Sequence, residues 1–275
     1  MIISSIKMQM HEMMRKKTVI FTYCILLFFV LINFFMNVYN NNNIQYISQM
    51  YDPMKVLTLS NWSVSGFFMM YFYPILVVLP TATCYLIDYD SKVKIYIQSK
   101  TGSFNYWYGK LISVFLTTFF IFTIPFILEI LLSYICFSSK SIGDPSGFSY
   151  LQTIENENQY FLSQIWLNNK IIYTALLTLL FGVVSGIFAT FNFAITSLSI
   201  FKYKIFTFFP IYVLFYSISI IELFINIKYT LSYMLILNMF EVSEKNYLIY
   251  TFFLICMLLV SIVLIGIKAK RDDSL

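Results

Sequence analysis

Long apolar runs separated by short polar stretches dominate the pattern of hydrophobic and polar positions along this chain. Six runs have about 20 residues or more, the length a helix needs to cross a hydrocarbon core of about 30 Å. Lipid cannot satisfy an open backbone, so each run is predicted to be helical. The predicted spans are residues 18–38, 64–87, 111–137, 171–200, 205–224 and 247–267. The pattern predicts an all-α polytopic membrane protein, with six transmembrane helices forming one domain over residues 18–267.

The first 17 residues show helical periodicity instead of an uninterrupted apolar run. Their polar residues, among them Ser5, Gln9 and Arg15, fall on one face of a helix. The apolar arc on the other face consists of Ile2, Ile3, Ile6, Met10, Met13 and Met14. Residues 1–17 are therefore predicted to form an interfacial amphipathic helix on the inner leaflet, with its cations facing lipid headgroups.

Basic residues are distributed unequally between the two sides of the predicted bundle. Thirteen of the 18 lysines and arginines lie on the side of both termini, and five lie on the other side. By the positive-inside rule, both termini of this multi-pass plasma-membrane protein are predicted to be cytoplasmic, with residues 268–275 as a tail. A composition of 59% hydrophobic and 11% charged residues excludes a soluble domain. The basic residues follow the ends of apolar runs, so no nucleic-acid partner is expected.

The predicted outer segments differ in character. Residues 39–63 open with four asparagines and predict an exposed loop. Residues 138–170 contain a Gly-Asp-Pro-Ser-Gly turn signal. Residues 226–246 include the apolar run YTLSYMLILNMF, which is too short to cross a membrane. Such a run predicts a re-entrant or interfacial piece.

Few residues of this chain have the spacing that catalysis or metal binding requires. His11 is the only histidine, and the four cysteines form no CxxC pair, so no metal site is predicted. The stretch from Gly102 to Lys110 superficially resembles a phosphate-binding loop. It has six residues between its glycines instead of four, and Leu111 follows the lysine in place of Ser or Thr. The chain is therefore predicted not to be an enzyme by itself and to bind no cofactor.

Two kinds of residue inside the spans are candidates for function or packing. A carboxylate at the centre of a membrane helix costs about 2.5–3.5 kcal/mol, so Glu129 and Glu222 are candidates for lining a translocation path. Both lie in the outer third of their spans, which leaves packing or contact with the surface as the alternative. A strip of small side chains on the fourth span would allow a second helix to approach closely. Its members are Gly182, Ser185, Gly186 and Ala189.

The loop 88–110 carries four lysines and, with the end of the second span, resembles the inner loop of type-2 ABC exporter permeases. In that family a proline ends the span, and an acidic residue, a short amphipathic coupling helix, a basic residue and a Gly-Lys pair follow. The matching positions are Pro80, Asp88, residues 93–98, Lys100, Gly109 and Lys110. Residues 196–216 are similar to the family's inner turn between spans four and five, at Lys202, Lys204 and Pro210. The coupling segment lacks the family's common Glu-Arg pair.

The resemblance implies a permease subunit of an ATP-driven ABC exporter in a bacterial cell membrane. Two such chains, identical or different, would form the pathway in contact with membrane lipid, and two separate ATPase subunits would bind ATP and Mg. The exported substrate would be amphipathic, such as a peptide, antibiotic or lipid. The implied coupling residues are Asp88, Lys92, Val93, Lys94, Ile95, Tyr96, Ile97, Lys100 and Lys110, with the three aliphatic ones as anchors in the ATPase.

Other functions stay open at the level of sequence. An ion-coupled secondary carrier should show two similar halves with broken helices, and the sequence shows neither. The membrane component of a vitamin-uptake system is a related alternative. An intramembrane enzyme would need histidines or paired carboxylates in facing spans, and only Glu129 and Glu222 are present. A membrane assembly or immunity protein without transport activity is the fourth possibility.

Overall fold

The computed structural model describes residues 2–42, 46–47, 50–60, 63–138, 162–198, 201, 203–225, 231, 233 and 244–273. Its helices are α1 (Ile2–Met14), α2 (Lys17–Asn41), α3 (Val64–Val78), α4 (Cys84–Asp90), α5 (Val93–Thr101), α6 (Ser103–Cys136), α7 (Ser163–Asn168), α8 (Lys170–Thr196), α9 (Phe209–Ile225) and α10 (Glu244–Asp273), with a 3₁₀ turn at Lys204–Phe208. Within these residues, the segments long and apolar enough to cross a membrane are Lys17–Asn41, Ser103–Cys136, Lys170–Thr196, Lys204–Ile221 and Tyr247–Asp273. The described chain is thus helical with five candidate spans, as an all-α polytopic membrane protein requires.

The helix predicted over residues 64–87 is interrupted. Helix α3 has 15 residues, so it extends about 22 Å, which is less than a hydrocarbon core of about 30 Å. Turns occupy residues 79–83 before α4 begins at Cys84. Pro80 lies inside this break and has no backbone N–H to continue a helical ladder. The last four residues of the predicted span, 84–87, therefore belong to a separate short helix that continues to Asp90.

Helices α6 and α8 form the centre of the bundle, and α1, α2 and α10 pack against α6. Two glycines of α8 allow its close contact with α6. A Cβ at Gly186 would lie 2.7 Å from the ring of Phe115, and one at Gly182 would overlap the side chain of Thr123. Ala189, one turn further along α8, is fully buried. The small side chains of α8 thus let α6 and α8 approach each other closely.

A buried tyrosine marks the middle of the bundle. Tyr73 of α3 is fully buried, and its hydroxyl lies 3.0 Å from Oγ of Ser185, close to the midpoint of α8. The aromatic rings around it belong to Phe122, Phe181, Phe188, Phe215 and Tyr233. The ring of Tyr233 stacks on Tyr73 with centroids 6.3 Å apart. Tyr233 therefore lies at mid-depth, where a re-entrant segment would place it, while most of 226–243 lies outside the described residues.

Helix α1 packs on the start of α6 through polar contacts. Ser5 and Gln9 are buried, and they donate hydrogen bonds of 3.0 and 3.1 Å to the carbonyls of Asn105 and Tyr106. Met13 is also buried in the protein. The predicted apolar residues that stay exposed are Ile2, Ile3 and Met14. The predicted division of this helix into a polar and an apolar face is therefore wrong at Ser5 and Gln9, which pack against the protein because the carbonyls of Asn105 and Tyr106 also accept their side-chain donors.

The prediction of an exposed loop over residues 39–63 is also wrong for its second half. Asp52, Val56 and Thr58 are 7%, 3% and 1% exposed, and Lys55 is the one residue between 52 and 60 that is half-buried. The apolar side chains of this segment pack in the bundle. Its polar groups bind buried side chains of neighbouring helices, including Glu129.

Candidate functional site

Charged side chains cluster at one end of the bundle, where α1, α4, α5 and the last turns of α10 meet. This end is named the inner end, following the predicted orientation. The opposite end holds residues 50–60 and the start of α8, and is named the outer end. The predicted coupling loop, residues 88–110, lies at the inner end and forms the end of α4, all of α5 and the first turns of α6.

Helix α5 lies between two residues with positive φ. Lys92 before it has φ 58°, and Gly102 after it has φ 82°. A glycine tolerates this region without a steric penalty, whereas a lysine adopts it at a cost. On the side of α5 that faces the protein, Ile97 is buried, and Val93 packs on the same inner cluster of aromatic side chains. The helix was predicted over residues 93–98, and it extends to Thr101.

A buried ion pair holds α4 against α6. Nζ of Lys110 lies 2.5 Å from Oδ2 of Asp88, and the two side chains are 0% and 1% exposed. The hydroxyl of Tyr106 donates to the same oxygen at 3.1 Å, and Nζ of Lys16 lies 3.6 Å from Oδ1. Burial of such a pair costs desolvation energy, which close geometry and extra hydrogen bonds offset. Asp88 and Lys110, both predicted coupling residues, therefore position the loop from inside.

A second carboxylate ties α5 to the end of α10. Oδ2 of Asp272 lies 2.7 Å from Nζ of Lys94, and it accepts hydrogen bonds from Gln98 at 3.2 Å and from the indole of Trp107 at 2.9 Å. Nζ of Lys94 also lies 5.2 Å from the ring centroid of Trp107, within the range of a cation–π interaction. These four residues, named the Asp272 clasp, join α5, α6 and α10. Sequence reasoning missed Asp272, because a carboxylate in a charged tail carries no signal of a contact with residues so far along the chain.

The opposite side of α5 is exposed. Ile95 and Tyr96 are 66% and 62% exposed. Lys92 and Lys100 are exposed too, and Nζ of Lys100 lies 4.4 Å from the ring centroid of Tyr96. Of the three predicted aliphatic anchors, Ile95 alone points away from the protein. The expectation that Ile97 would insert into a partner is therefore wrong, because Ile97 is part of this chain's own core.

Neighbouring segments extend this surface. The 3₁₀ turn lies beside the end of α4, since Nζ of Lys204 is 3.9 Å from Oδ2 of Asp90. Lys202 lies outside the described residues. The exposed residues that these segments share with α5, named the inner patch, are Tyr89, Lys92, Ile95, Tyr96, Lys100, Tyr203 and Ile205. The inner patch thus combines large apolar side chains with lysines.

Of the two candidate carboxylates in the predicted spans, the structure describes the side chain of Glu129 only. The side chain of Glu222 lies outside the described residues. Glu129 is 1% exposed at the outer end, and its Oε1 accepts hydrogen bonds from Asn33 at 2.8 Å and from both the backbone N–H and the hydroxyl of Thr58 at 2.7 Å. In this conformation Glu129 binds polar groups of the chain itself.

Neither a metal cluster nor a related protein adds to this picture. In the part of the chain that the structure describes, no three His, Cys, Asp or Glu side chains come together as metal ligands. Cys24, Cys84, Cys136 and Cys256 are free thiols. No protein-family model, curated protein or solved structure matches the chain. The features of this chain that bear on function are therefore the geometries of its inner and outer ends.

Proposed function

We propose that this chain is the permease subunit of an ABC exporter with type-2 architecture. It crosses a bacterial plasma membrane six times, with both termini in the cytoplasm. Two permease chains form the translocation pathway, and two separate ATPase subunits, which bind ATP and Mg, dock at the inner end. The chain itself carries out no hydrolysis.

The observation that carries this proposal is the two-sided arrangement of α5. One side is fixed by the Asp272 clasp and by burial of Ile97, whereas the other side exposes Ile95 and Tyr96 among lysines. Large apolar side chains exposed together and rimmed by polar residues are typical of protein interaction sites. A short helix held in this way suits a groove on a soluble partner with apolar walls and acidic edges.

The contacts behind α5 explain how motion of a partner would reach the membrane helices. The ion pair of Asp88 and Lys110 joins α4 to α6, and the contact of Lys94 with Asp272 joins α5 to α10. A displacement of α5 therefore acts on α4, α6 and α10 together. Closure of two ATPase subunits on ATP would shift these helices between two arrangements, which is the requirement for alternating access.

The centre of the bundle favours an amphipathic substrate. Tyr73 and its surrounding rings pack together there, and the paired hydroxyls of Tyr73 and Ser185 lie at the same depth, so a pathway that opens at this level would be lined by both apolar faces and hydroxyls. A peptide, antibiotic or lipid with apolar and polar parts matches this combination. Multidrug or antimicrobial-peptide export is the corresponding activity.

Aspartate at Ile95 or Tyr96 is expected to lower binding of the ATPase roughly thirtyfold. Loss of an interface residue that carries much of the binding energy costs about 2 kcal/mol or more. Both side chains are exposed when the chain is considered without a partner, so their replacement removes no core contact and the variants should fold normally. The measurement is titration of the purified permease with the ATPase that accompanies it in mild detergent.

Tyr46→Asp is the matched control. Tyr46 is 64% exposed, almost the same as the 62% of Tyr96, but it lies at the outer end instead of the inner end. We expect wild-type affinity for this control. Unchanged affinity for both Ile95→Asp and Tyr96→Asp would refute docking on α5.

A further inference from the structure

The segment of residues 52–60 closes the outer end of the bundle from within. Its apolar side chains Met54, Val56, Leu57 and Leu59 are 6%, 3%, 2% and 5% exposed. Met54, Leu57 and Leu59 belong to the main core, and Val56 packs with Phe34 of α2 and with Phe137. A connecting segment on the surface would expose most of these side chains. This one occupies space between the helices.

This segment packs against the buried carboxyl group of Glu129. Thr58 donates two hydrogen bonds to the carboxylate, one from its backbone and one from its hydroxyl. Asn33 of α2 donates the third. A carboxylate removed from water needs such donors, and removal of its partners leaves a large desolvation cost. Glu129 therefore stabilises Thr58 at this depth, and Thr58 in turn allows Glu129 to be buried.

Three other helices hold the same segment. Nδ2 of Asn33 and of Asn37 in α2 donate to the carbonyl of Val56 at 2.6 and 2.9 Å. In α3, a Cβ at Gly66 would overlap the carbonyl of Thr58, so only glycine admits this backbone. Nζ of Lys170 in α8 lies 2.6 Å from Oδ2 of Asp52. Together with Glu129 of α6, these contacts reach four helices.

We propose that residues 52–60 are a plug that seals the outer end of the bundle, and that Glu129 is the positioning residue that latches it. This inference rests on the proposed function only in its consequence: in an exporter the plug is the outer gate, and the substrate leaves after Thr58 separates from Glu129. The structure then represents the state closed to the outside. The four helices that hold the plug include α6, which also carries Lys110 of the inner ion pair.

The latch predicts that access of water to the plug depends on the acceptor oxygen of Glu129. A cysteine at Leu57 should react slowly with a water-soluble maleimide in the full chain, purified in lipid nanodiscs. Glu129→Ala removes the acceptor, and the labelling rate should rise roughly tenfold or more, since three hydrogen bonds to one oxygen are lost together. Glu129→Gln retains an acceptor oxygen and should restore slow labelling. The four native cysteines are replaced by alanine, because Cys136 is exposed beside the plug.

Two further cysteines make the result decisive. Ile47 is 57% exposed, so Ile47→Cys should react quickly in every background. Leu26 is fully buried within α2, so Leu26→Cys should stay unreactive unless the whole bundle unfolds. The proposal would be overturned if Leu57→Cys had the same labelling rate in the Glu129 and Glu129→Ala backgrounds while Leu26→Cys stayed protected.

Thr58→Val provides a second test should Glu129→Ala unfold the bundle and expose Leu26→Cys. This substitution removes one hydroxyl donor and keeps the size of the side chain. The labelling rate of Leu57→Cys should rise several-fold with Leu26→Cys protected, and an unchanged rate would overturn the latch. These measurements need no ATPase, so their failure is separate from failure of the proposed function.

Discussion

Replacement of Asp88 by alanine is expected to lower the free energy of unfolding by about 3–5 kcal/mol, because it leaves a buried lysine without its partner. Asp88 and Lys110 are 1% and 0% exposed, so water cannot replace the lost carboxylate. The measurement is thermal unfolding of the purified chain in detergent, with loss of the monodisperse fraction as the signal. Lys110→Met should destabilise the chain less than Asp88→Ala, since Asp88 loses its closest cation but keeps Lys16 at 3.6 Å.

Asp90→Ala is the matched control for this prediction. Asp90 lies on the same helix and pairs with Lys204 at 3.9 Å, but the two side chains are 63% and 60% exposed. Exposed pairs contribute little, so the variant should stay within about 1 kcal/mol of wild type. The double variant Asp88→Ala and Lys110→Met should be more stable than the sum of the two single changes implies, because no unpaired ion of the pair is left. Equal stability of Asp88→Ala and Asp90→Ala would contradict the assigned role of the buried pair.

Charge reversal within the Asp272 clasp is expected to reduce coupling roughly tenfold. Lys94→Asp places two carboxylates together, and Asp272→Lys places two ammonium groups together, so α5 separates from α10 in either variant. A charge-assisted hydrogen bond contributes about 1.5–3 kcal/mol, which corresponds to at least a tenfold effect. The readout is ATP hydrolysis by the assembled complex in the presence of substrate.

The swapped pair, Lys94→Asp with Asp272→Lys, should recover most of that loss. Recovery will be incomplete, since the indole of Trp107 donates to the native carboxylate and cannot accept from a lysine. Lys7→Asp, an exposed change on α1 at the same end, serves as the control for altered net charge. If the swap is no better than either single reversal, Lys94 and Asp272 do not act as a pair.

Hydrophobic periodicity was sufficient to predict most of the helices. The first span, predicted over residues 18–38, corresponds to α2 at Lys17–Asn41, and the fourth, 171–200, corresponds to α8 at Lys170–Thr196. The third begins at Ser103 instead of residue 111. The polar first turns of α6 are stabilised by contacts far along the chain, such as Ser103 with the carbonyl of Ala269. A hydropathy pattern contains no information on such contacts.

Helical geometry alone predicts which residues of α5 share a face. Residues four apart lie on one face of a helix, so Val93 and Ile97 share a face and Ile95 lies on the opposite one. The three were predicted as joint anchors, although that spacing separates them. Burial of Ile97 and exposure of Ile95 follow from the periodicity. The periodicity does not predict which of the two faces packs against the protein. Contacts with Trp107 and Asp272 decide that, and they belong to the tertiary structure.

The plug illustrates the opposite situation. Between residues 50 and 60 the apolar side chains follow neither a period of two nor one of 3.6, so the pattern is typical of a loop. Its burial depends on Glu129, which lies far along the chain. Sequence reasoning did single out Glu129 from its position within a span. It could not predict that the partner of this carboxylate would be Thr58.

The most direct test of the account is purification of the full chain from its native membrane in mild detergent, followed by identification of proteins that remain bound in stoichiometric amounts. The account predicts an ATPase with its own phosphate-binding loop, with ATP hydrolysis in the complex and no hydrolysis by this chain alone. The ATPase should be lost when Tyr96 is replaced by aspartate and retained when Tyr46 is replaced. Transport by the purified chain without any ATPase, or an ATPase retained equally by both variants, would contradict it.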